Sequence, residues 1–521
     1  MVPRQDMERS ATVRMSTNGE DMETNRATIL RELADVREQI VHTESRYKRL
    51  IQHEISLMED LNVVSSAILS LPVEIAADIF ALACGLDEAP DFHSLPTPLS
   101  IGHTCRAWRR LAWSTPRLWQ TIVICFSEAR MERQRALFQE WLHRSAELGL
   151  HLYFAYEPVN NKVRPHWYYE PPEAFFKQIL RTSKRWKTLH TDNSLHFSRA
   201  IGNTRDTCPF PILSHLRLHI TDIQRDMHND LNWTLGATPR LRSLDIRLFN
   251  PEMLQLTWDN VTYLKARMNV NFSTSFLRNC SSLKSCELWP DVESMSSLGT
   301  HLLPPPTAPA SSANITSFSL SGTPRRVSYI LSSISVPKLE CLSIDLDLCE
   351  RQDIDEVMEA CLNALTNMLA RSLCTLAELS LSGLLVHTAS YLDILWPLTS
   401  LTRLSITLPR PSKITGEFIE ALNLSVNPGF LPLLSEIALE GDLALSADVG
   451  VIMRMIRGRL DLLRSEGNPP IRRLEKLKVI YWNAAWAKKM DENPNRLAKF
   501  YLDLEALPSG ETSVTWTWKD S

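Results

Sequence analysis

A six-residue pattern, Leu-x-x-Leu-x-Leu, recurs along most of the chain and constrains its fold more than any other feature. One such hexamer is common by chance, but ten in series are not. Alternate residues of a strand point to the same face, so each hexamer predicts a short strand with one apolar face. The hexamers begin at Trp186, Leu213, Leu241, Leu283, Ile315, Leu339, Leu376, Leu401, Leu434 and Leu474, with a weaker one at Val261.

The segments between the hexamers indicate how the strands are connected. The hexamers start 20 to 40 residues apart, and helical patterns fill several gaps, notably 353–372 and 447–464. This alternation predicts an α/β fold, either a repeat array or a doubly wound domain. We favour the array, because strands buried on both faces would read as continuous apolar runs. The series resembles leucine-rich repeats, which implies an irregular βα solenoid over residues 123–521.

The resemblance to leucine-rich repeats also implies a binding surface. In such repeats the Leu positions point into the core, and the residues between them lie on the concave face. Mixed charge on that face suits a protein substrate, although an ordinary solvated strand is the alternative for any single residue. The predicted substrate-binding residues are His215, Arg217, Asp245, Arg247, Ser343, Asp345, Asp347, Arg403, Lys476 and Lys478.

Residues 66–122 predict a compact block of three short helices. Pro72 suits a first helical turn, and Ile75 and Ile79 then fall on one face. A second apolar stripe includes Trp108, and Pro116 ends that helix. So short a block has more apolar surface than it can bury, which suits docking on a partner.

This block resembles the F-box family, whose pattern combines Leu-Pro-x-Glu-Ile, Ile-Phe, Cys-Arg-x-Trp-Arg and Leu-Trp. The matching residues are Leu71, Pro72, Glu74, Ile75, Ile79, Phe80, Leu99, Cys105, Arg106, Trp108, Arg109, Leu118 and Trp119. The resemblance implies docking on a Skp-type adaptor, and through it on a cullin. The implied adaptor-binding residues are Leu71, Pro72, Ile75, Ile79, Phe80, Leu99 and Trp108. The link between Phe80 and Leu99 is longer than is usual in the family, and a displaced second helix would weaken this docking.

The implied function is that of a non-catalytic substrate-recognition subunit of a Skp–cullin–F-box E3 ubiquitin ligase. The alternatives are a leucine-rich-repeat scaffold that acts outside a cullin complex and an enzyme built on an α/β domain. The sequence contains neither a G-x-x-x-x-G-K-S/T phosphate loop nor a G-x-S-x-G nucleophile elbow. We therefore expect no catalytic residues, no metal and no cofactor.

The N-terminal region predicts a disordered segment over residues 1–24 and a long helix over 25–62. Positions spaced alternately by four and three residues form a largely apolar seam. The seam consists of Ile29, Leu33, Val36, Ile40, Thr43, Tyr47, Leu50, Glu54, Leu57 and Leu61. It predicts a coiled coil that forms a homodimer through residues 29–61 or recruits another partner. The alternative is one amphipathic helix folded back on its own chain.

Composition excludes several other classes of protein. A net charge of −4 provides no basic surface for nucleic acid. Neither a secretory leader nor a membrane-spanning run is recognisable. The ten cysteines are scattered and lack C-x-x-C pairs, which favours reduced thiols in the cytoplasm or nucleus. A Pro-rich stretch at 301–314 predicts a surface loop.

Overall fold

The structure is a computed structural model in which the chain divides into two compact units. The first consists of Met1–Trp119 with Leu142–Ala146, and the second of Gln120–Trp141 with Glu147–Ser521. The residues described are 5–65, 67–68, 70–84, 97–156, 173–191, 210–219, 233–234, 238–247, 254–270, 277–291, 309–311, 313–347, 354–384, 388–409, 413–443, 449–463, 472–481 and 513–518.

Helices dominate the first unit and alternate with strands in the second. The helices are α1 (Gln5–Ser65), α2 (Val73–Ala83), α3 (Thr97–Thr104), α4 (Arg106–Ser114), α5 (Met131–Arg144), α6 (Glu173–Leu180), α7 (Pro324–Ser333), α8 (Ile354–Ser372), α9 (Thr388–Leu395), α10 (Gly416–Ala421) and α11 (Val449–Leu463). The strands are β1 (Thr121–Phe126), β2 (Leu150–Tyr156), β3 (Trp186–Thr191), β4 (His215–His219), β5 (Trp233–Thr234), β6 (Ser243–Arg247), β7 (Leu254–Gln255), β8 (Tyr263–Asn269), β9 (Ser285–Asp291), β10 (Ala310–Ser311), β11 (Ser317–Gly322), β12 (Ile334–Ser335), β13 (Cys341–Leu346), β14 (Glu378–Ser382), β15 (Arg403–Thr407), β16 (Lys413–Ile414), β17 (Glu436–Glu440), β18 (Asp442–Leu443), β19 (Lys476–Tyr481) and β20 (Ser513–Trp518).

One parallel sheet organises the second unit. It contains 14 strands in the order β1-β2-β3-β4-β6-β8-β9-β11-β13-β14-β15-β17-β19-β20. The strands therefore lie side by side in the order in which they occur along the chain. A doubly wound sheet reverses its strand order at one point, and the described strands show no such reversal.

The hexamers account for where these strands form. In β13, for example, Leu339 precedes the strand and Leu342 and Ile344 lie within it, and all three are buried. Between them, Cys341 and Ser343 are half-buried and Glu340 is exposed, so the two faces of the strand differ. Each of the ten hexamers, and the weaker one at Val261, contains the start of a strand of this sheet. The mixed α/β architecture predicted from the sequence is confirmed.

Side-chain hydroxyls add hydrogen bonds between successive strands. Thr402 Oγ1 donates to the Ala377 carbonyl at 2.9 Å, and the Thr402 amide donates to the same oxygen at 2.8 Å. Hydroxyls at the second position of four other hexamers repeat this bond. They belong to Ser214, Thr262, Thr316 and Ser435. The second hexamer position therefore connects neighbouring strands.

Gly383 shows where the fold requires glycine. Its φ is +80°, and a Cβ atom there would lie 2.2 Å from the Leu346 carbonyl oxygen. The turn after β14 therefore passes directly over the end of β13, where a side chain has no room.

The structure differs from the sequence predictions at the N-terminus and at β2. Helix α1 begins at Gln5, so it includes residues 5–24, which the sequence predicts to be disordered. Strand β2 was missed because its residues Leu152–Ala155 are buried on both faces and lack alternation.

Two further predictions fall mainly outside the described residues. In the Pro-rich stretch 301–314, residues 301–308 and 312 lie outside them, whereas Ala310–Ser311 forms β10, paired with β12. The link at 85–96, between α2 and α3, also lies outside. In the part of the chain that is described, no helix combines the length and apolarity needed to span a bilayer.

Candidate functional site

Helices α2, α3 and α4 form a block with a small aromatic core in the first unit. Phe80 of α2 is buried, and its ring centroid lies 5.0 Å from that of Trp108 of α4 at an interplanar angle of 53°. Trp119 is also buried, and its Nε1 donates to the Ala112 carbonyl at 2.8 Å. These contacts fix the three helices around one core.

The start of α4 explains the Cys-Arg-x-Trp-Arg order of residues. Cys105 has an extended backbone at the N-cap, and its Sγ accepts from the Trp108 amide at 3.4 Å. Arg109 Nε donates to the Gly102 carbonyl of α3 at 2.8 Å. The cysteine therefore caps α4, while the second arginine attaches α4 to α3.

A cation–π cluster beside this core was missed from the sequence. The Arg144 guanidinium lies 4.3 Å from the ring centroid of Trp113 and 4.7 Å from that of Trp119. Arg109 also lies over Trp113, at 5.6 Å. These interactions contribute about 0.5–2 kcal/mol each, depending on desolvation. Arg144 is 25 residues after Trp119 in the chain, so no local pattern signals the pairing.

The outer face of α2 is an apolar strip, defined here as Ile75, Ile79 and Leu82. Their exposed fractions are 48%, 37% and 82%, and the spacing of four and three residues places them on one face of the helix. Leu71, just before α2, is also exposed at 38%. Leu82 was missed, although its spacing from Ile79 continues the stripe. An exposed strip of this kind, on a helix held firmly by its other face, suits a protein partner.

The predicted adaptor-binding residues thus divide into two groups. Leu71, Pro72, Ile75 and Ile79 are exposed, and Leu99 and Trp108 are half-buried. Phe80 is only 2% exposed and packs inside the block. The structure brings the exposed residues together on and just before α2, whereas Phe80 supports them from beneath.

The second candidate surface is the open face of the sheet, meaning the side chains that lie between the buried positions of the strands. On β4 and β6, Asp245 Oδ1 lies 3.0 Å from His219 Nε2, and Asp245 Oδ2 lies 3.5 Å from Arg217 Nε. Burial by itself would raise the pKa of the Asp245 carboxyl. The hydrogen bond from His219 and the positive charges of His219, Arg217 and Lys265 outweigh burial, so the pKa of Asp245 is lowered. Predicted residues Arg217 and Asp245 are therefore paired with each other.

Neighbouring strands extend this pairing. On β8 and β9, Lys265 Nζ lies 3.1 Å from Glu287 Oε2, and Tyr263 donates its hydroxyl to Glu287 Oε1 at 2.7 Å. On β3, burial lowers the pKa of His190 to about 4, and the nearby Arg217 charge acts in the same direction. The face from β3 to β9 is therefore cross-linked by its own side chains.

The face from β11 to β17 has a different composition. Ser319, Ser343, Ser380 and Ser405 occupy one register row, and Ala438 continues it on β17. These small residues line a groove of about 430 Å³. Two ion pairs border it: Arg403 with Glu378, and Lys476 Nζ with Glu436 Oε1 at 2.9 Å.

The predicted substrate-binding residues do not form one cluster. Arg403, Lys476 and Lys478 line the groove together. His215 is near the start of β4, and burial lowers its pKa. The remaining predicted residues, Arg247, Asp345 and Asp347, are exposed at or beyond the ends of β6 and β13. Within the described residues, no three His, Cys, Asp or Glu side chains are placed to hold a metal ion.

Comparison with known families identifies one region of the chain. Residues 68–125 match the family model described as F-box-like. The matched region contains the apolar strip, the Phe80–Trp108 core and the Cys105 cap. A search of curated proteins finds no match to the chain.

Proposed function

We propose, from the F-box-like domain at residues 68–125, that the chain is the substrate-recognition subunit of a Skp–cullin–F-box E3 ubiquitin ligase. The observation that carries the proposal is the apolar strip of Ile75, Ile79 and Leu82 on that domain. Apolar side chains left in water by a well-packed block gain free energy when a partner covers them. The partner in this proposal is a Skp-type adaptor, which links the chain to a cullin.

The chain would contribute positioning and no bond chemistry. Holding a substrate lysine close to a charged ubiquitin-conjugating enzyme raises the effective concentration of the two reactants. This task requires two surfaces on one chain and no catalytic residue. The eight described cysteines are free, which supports a cytoplasmic or nuclear location within the same proposal.

The second unit would capture the substrate through the open face of the sheet. Its chain-ordered parallel strands support the interpretation as an irregular leucine-rich-repeat-like solenoid. Within that face, the groove offers a protein segment unfilled space with a largely apolar surface, bordered by the charged Arg403, Glu436 and Lys476. We therefore propose the groove, with Lys478, as the centre of substrate capture.

Co-purification tests the adaptor part of the proposal. The full chain would be expressed with an affinity tag, and the recovered adaptor and cullin quantified by mass spectrometry. Ile75→Glu or Leu82→Glu places a charge in the apolar strip without disturbing the buried face of α2. We expect each variant to reduce recovery of both proteins by about tenfold or more, because a buried unpaired charge opposes docking.

The matched control is Leu137→Glu, the same kind of change at an exposed leucine of α5. It should leave recovery unchanged. Equal recovery of adaptor with wild type, Ile75→Glu and Leu82→Glu would contradict the ligase proposal. That outcome would favour an interaction scaffold acting outside a cullin complex.

A further inference from the structure

The seam of helix α1 is exposed to solvent along its described length. Val64 continues the seam three residues beyond Leu61. The exposed fractions of the apolar seam residues from Leu33 onward range from 43% at Leu33 to 86% at Val64. Within the described residues, no other element covers them. A helix with an unsatisfied apolar stripe about 50 Å long requires a partner in water.

The opposite side of α1 is where the helix meets the rest of its own unit. Ile51, Ile55 and Glu59 are half-buried, and Glu59 Oε1 forms an ion pair with Arg106 Nη1 of α4 at 2.9 Å. In the heptad that contains Leu57 and Leu61, Glu59 lies at the outer position, opposite the seam. Attachment to α4 therefore leaves the seam free for another molecule.

We propose that the seam binds the seam of a second copy of this chain, in an antiparallel two-stranded coiled coil. A layer is a pair of seam residues, one from each copy, that face each other. Because a two-fold interface is self-complementary, each layer must occur twice, with the two residues exchanged between the copies. Several antiparallel registers have this property, and the one in which Tyr47 lies opposite the partner's Leu50 is the one that pairs the two polar positions of the seam with each other. The other layers are Leu33 with the partner's Val64, Val36 with the partner's Leu61, Ile40 with the partner's Leu57, and Thr43 with the partner's Glu54.

The two polar positions of the seam support self-association in this direction. Thr43 and Glu54 fall in the same layer, so every other layer is apolar. Arg46 lies one turn from Thr43 and beside the seam, where it neutralises the partner's Glu54. A parallel arrangement in register would instead place Glu54 directly opposite the partner's Glu54, whereas the antiparallel pair keeps these two carboxylates in separate layers. Charge complementarity therefore favours the antiparallel pair.

Sedimentation equilibrium of the full chain, without adaptor, tests the proposal independently of the ligase function. We expect a dimer at micromolar concentration. Leu50→Lys with Leu57→Lys should weaken dimerisation by about a hundredfold or more, because the new charges face the partner. The matched control is Ser45→Lys with Gln52→Lys, which adds the same charges to the exposed outer side of α1. This control should remain dimeric.

A charge exchange tests the antiparallel direction. Glu54→Lys should weaken the dimer by about tenfold, since the lysine meets the partner's Arg46, and adding Arg46→Glu should restore wild-type affinity. Within one helix these two residues are too far apart to pair. The proposal is overturned if the wild-type chain is a monomer, or if the seam and control variants weaken dimerisation equally. It is also overturned if the double variant dimerises no more tightly than Glu54→Lys alone.

Discussion

The two halves of the open face of the sheet carry different chemistry on the same backbone. From β3 to β9, Arg217, His219 and Asp245 are paired across strands, and Lys265 binds Glu287. From β11 to β17, the corresponding row consists of serines and Ala438 at the floor of the groove. The strand register is continuous through both halves, so the difference lies in the side chains alone.

This comparison separates residues that hold the sheet together from residues that are available to a partner. A charge already paired with its neighbour must lose that pairing before it can bind a substrate. Arg217 and Asp245 are in this position, although the sequence predicts them as substrate-binding residues. The short serine side chains from β11 to β17 leave space for a substrate, so this half of the open face is the better candidate for binding.

The largest expected effect tests the structural role of the first half. Asp245→Ala removes the carboxylate that forms ion pairs with Arg217 and His219. We expect the free energy of unfolding to fall by about 2–3 kcal/mol. Ser380→Ala, in the serine row, should change it by no more than about 0.5 kcal/mol. Urea unfolding of both variants measures the difference. Equal losses of unfolding free energy would contradict the claim that the first half stabilises the sheet more than the second.

The second prediction concerns the acid sensitivity of the first half. The pKa of His190 falls from 6.5 to about 4 on folding, so the folded state holds the ring neutral. Above pH 6.5 the ring is neutral in both states, so His190 does not reduce the stability of the fold. As the pH falls from 6.5 toward 4, only the unfolded state binds the proton, and the free energy of unfolding falls by about 1–2 kcal/mol. Unfolding free energies at pH 7 and 4.5 should differ less in His190→Gln than in wild type. The exposed His103→Gln should behave as wild type, and an identical pH dependence in all three proteins would refute the assignment.

The third prediction tests the groove itself. Ser380→Trp fills the middle of the serine row, and we expect about tenfold less substrate recovered in affinity purification, with the melting temperature nearly unchanged. Ser243→Trp makes the same change in the first half, on β6, and should not reduce recovery. If both tryptophans reduce it equally, the groove has no special role in capture.

The smallest effect concerns the hydroxyl bonds between strands, which both halves share. Thr402→Val keeps the shape of the side chain but removes the bond to the Ala377 carbonyl. We expect a loss of about 0.5–1 kcal/mol in the free energy of unfolding. The control is Thr407→Val on the same strand, whose hydroxyl makes no cross-strand bond among the described residues. A loss in the control as large as in Thr402→Val would show that valine itself, not the missing bond, is responsible.

The sequence predicted those features that depend on neighbouring residues. The buried Leu339, Leu342 and Ile344 of one hexamer are at most five residues apart, so their strand can be predicted from the local sequence. Pairing on the open face depends on which residues become neighbours across strands. Asp245 is 28 residues from Arg217, and only the register brings them together. The same reason explains why the Arg144–Trp113 contact escaped prediction.

Isothermal titration of the purified chain with a Skp-type adaptor tests the central claim most directly. The account predicts a one-to-one complex with a negative heat-capacity change, because the apolar strip on α2 is buried on binding. It also predicts affinity at least about tenfold weaker for Ile75→Glu, with Leu137→Glu unchanged. Absence of binding by the wild-type chain, or equal affinity of all three proteins, would contradict the claim that this surface joins the chain to a ubiquitin ligase.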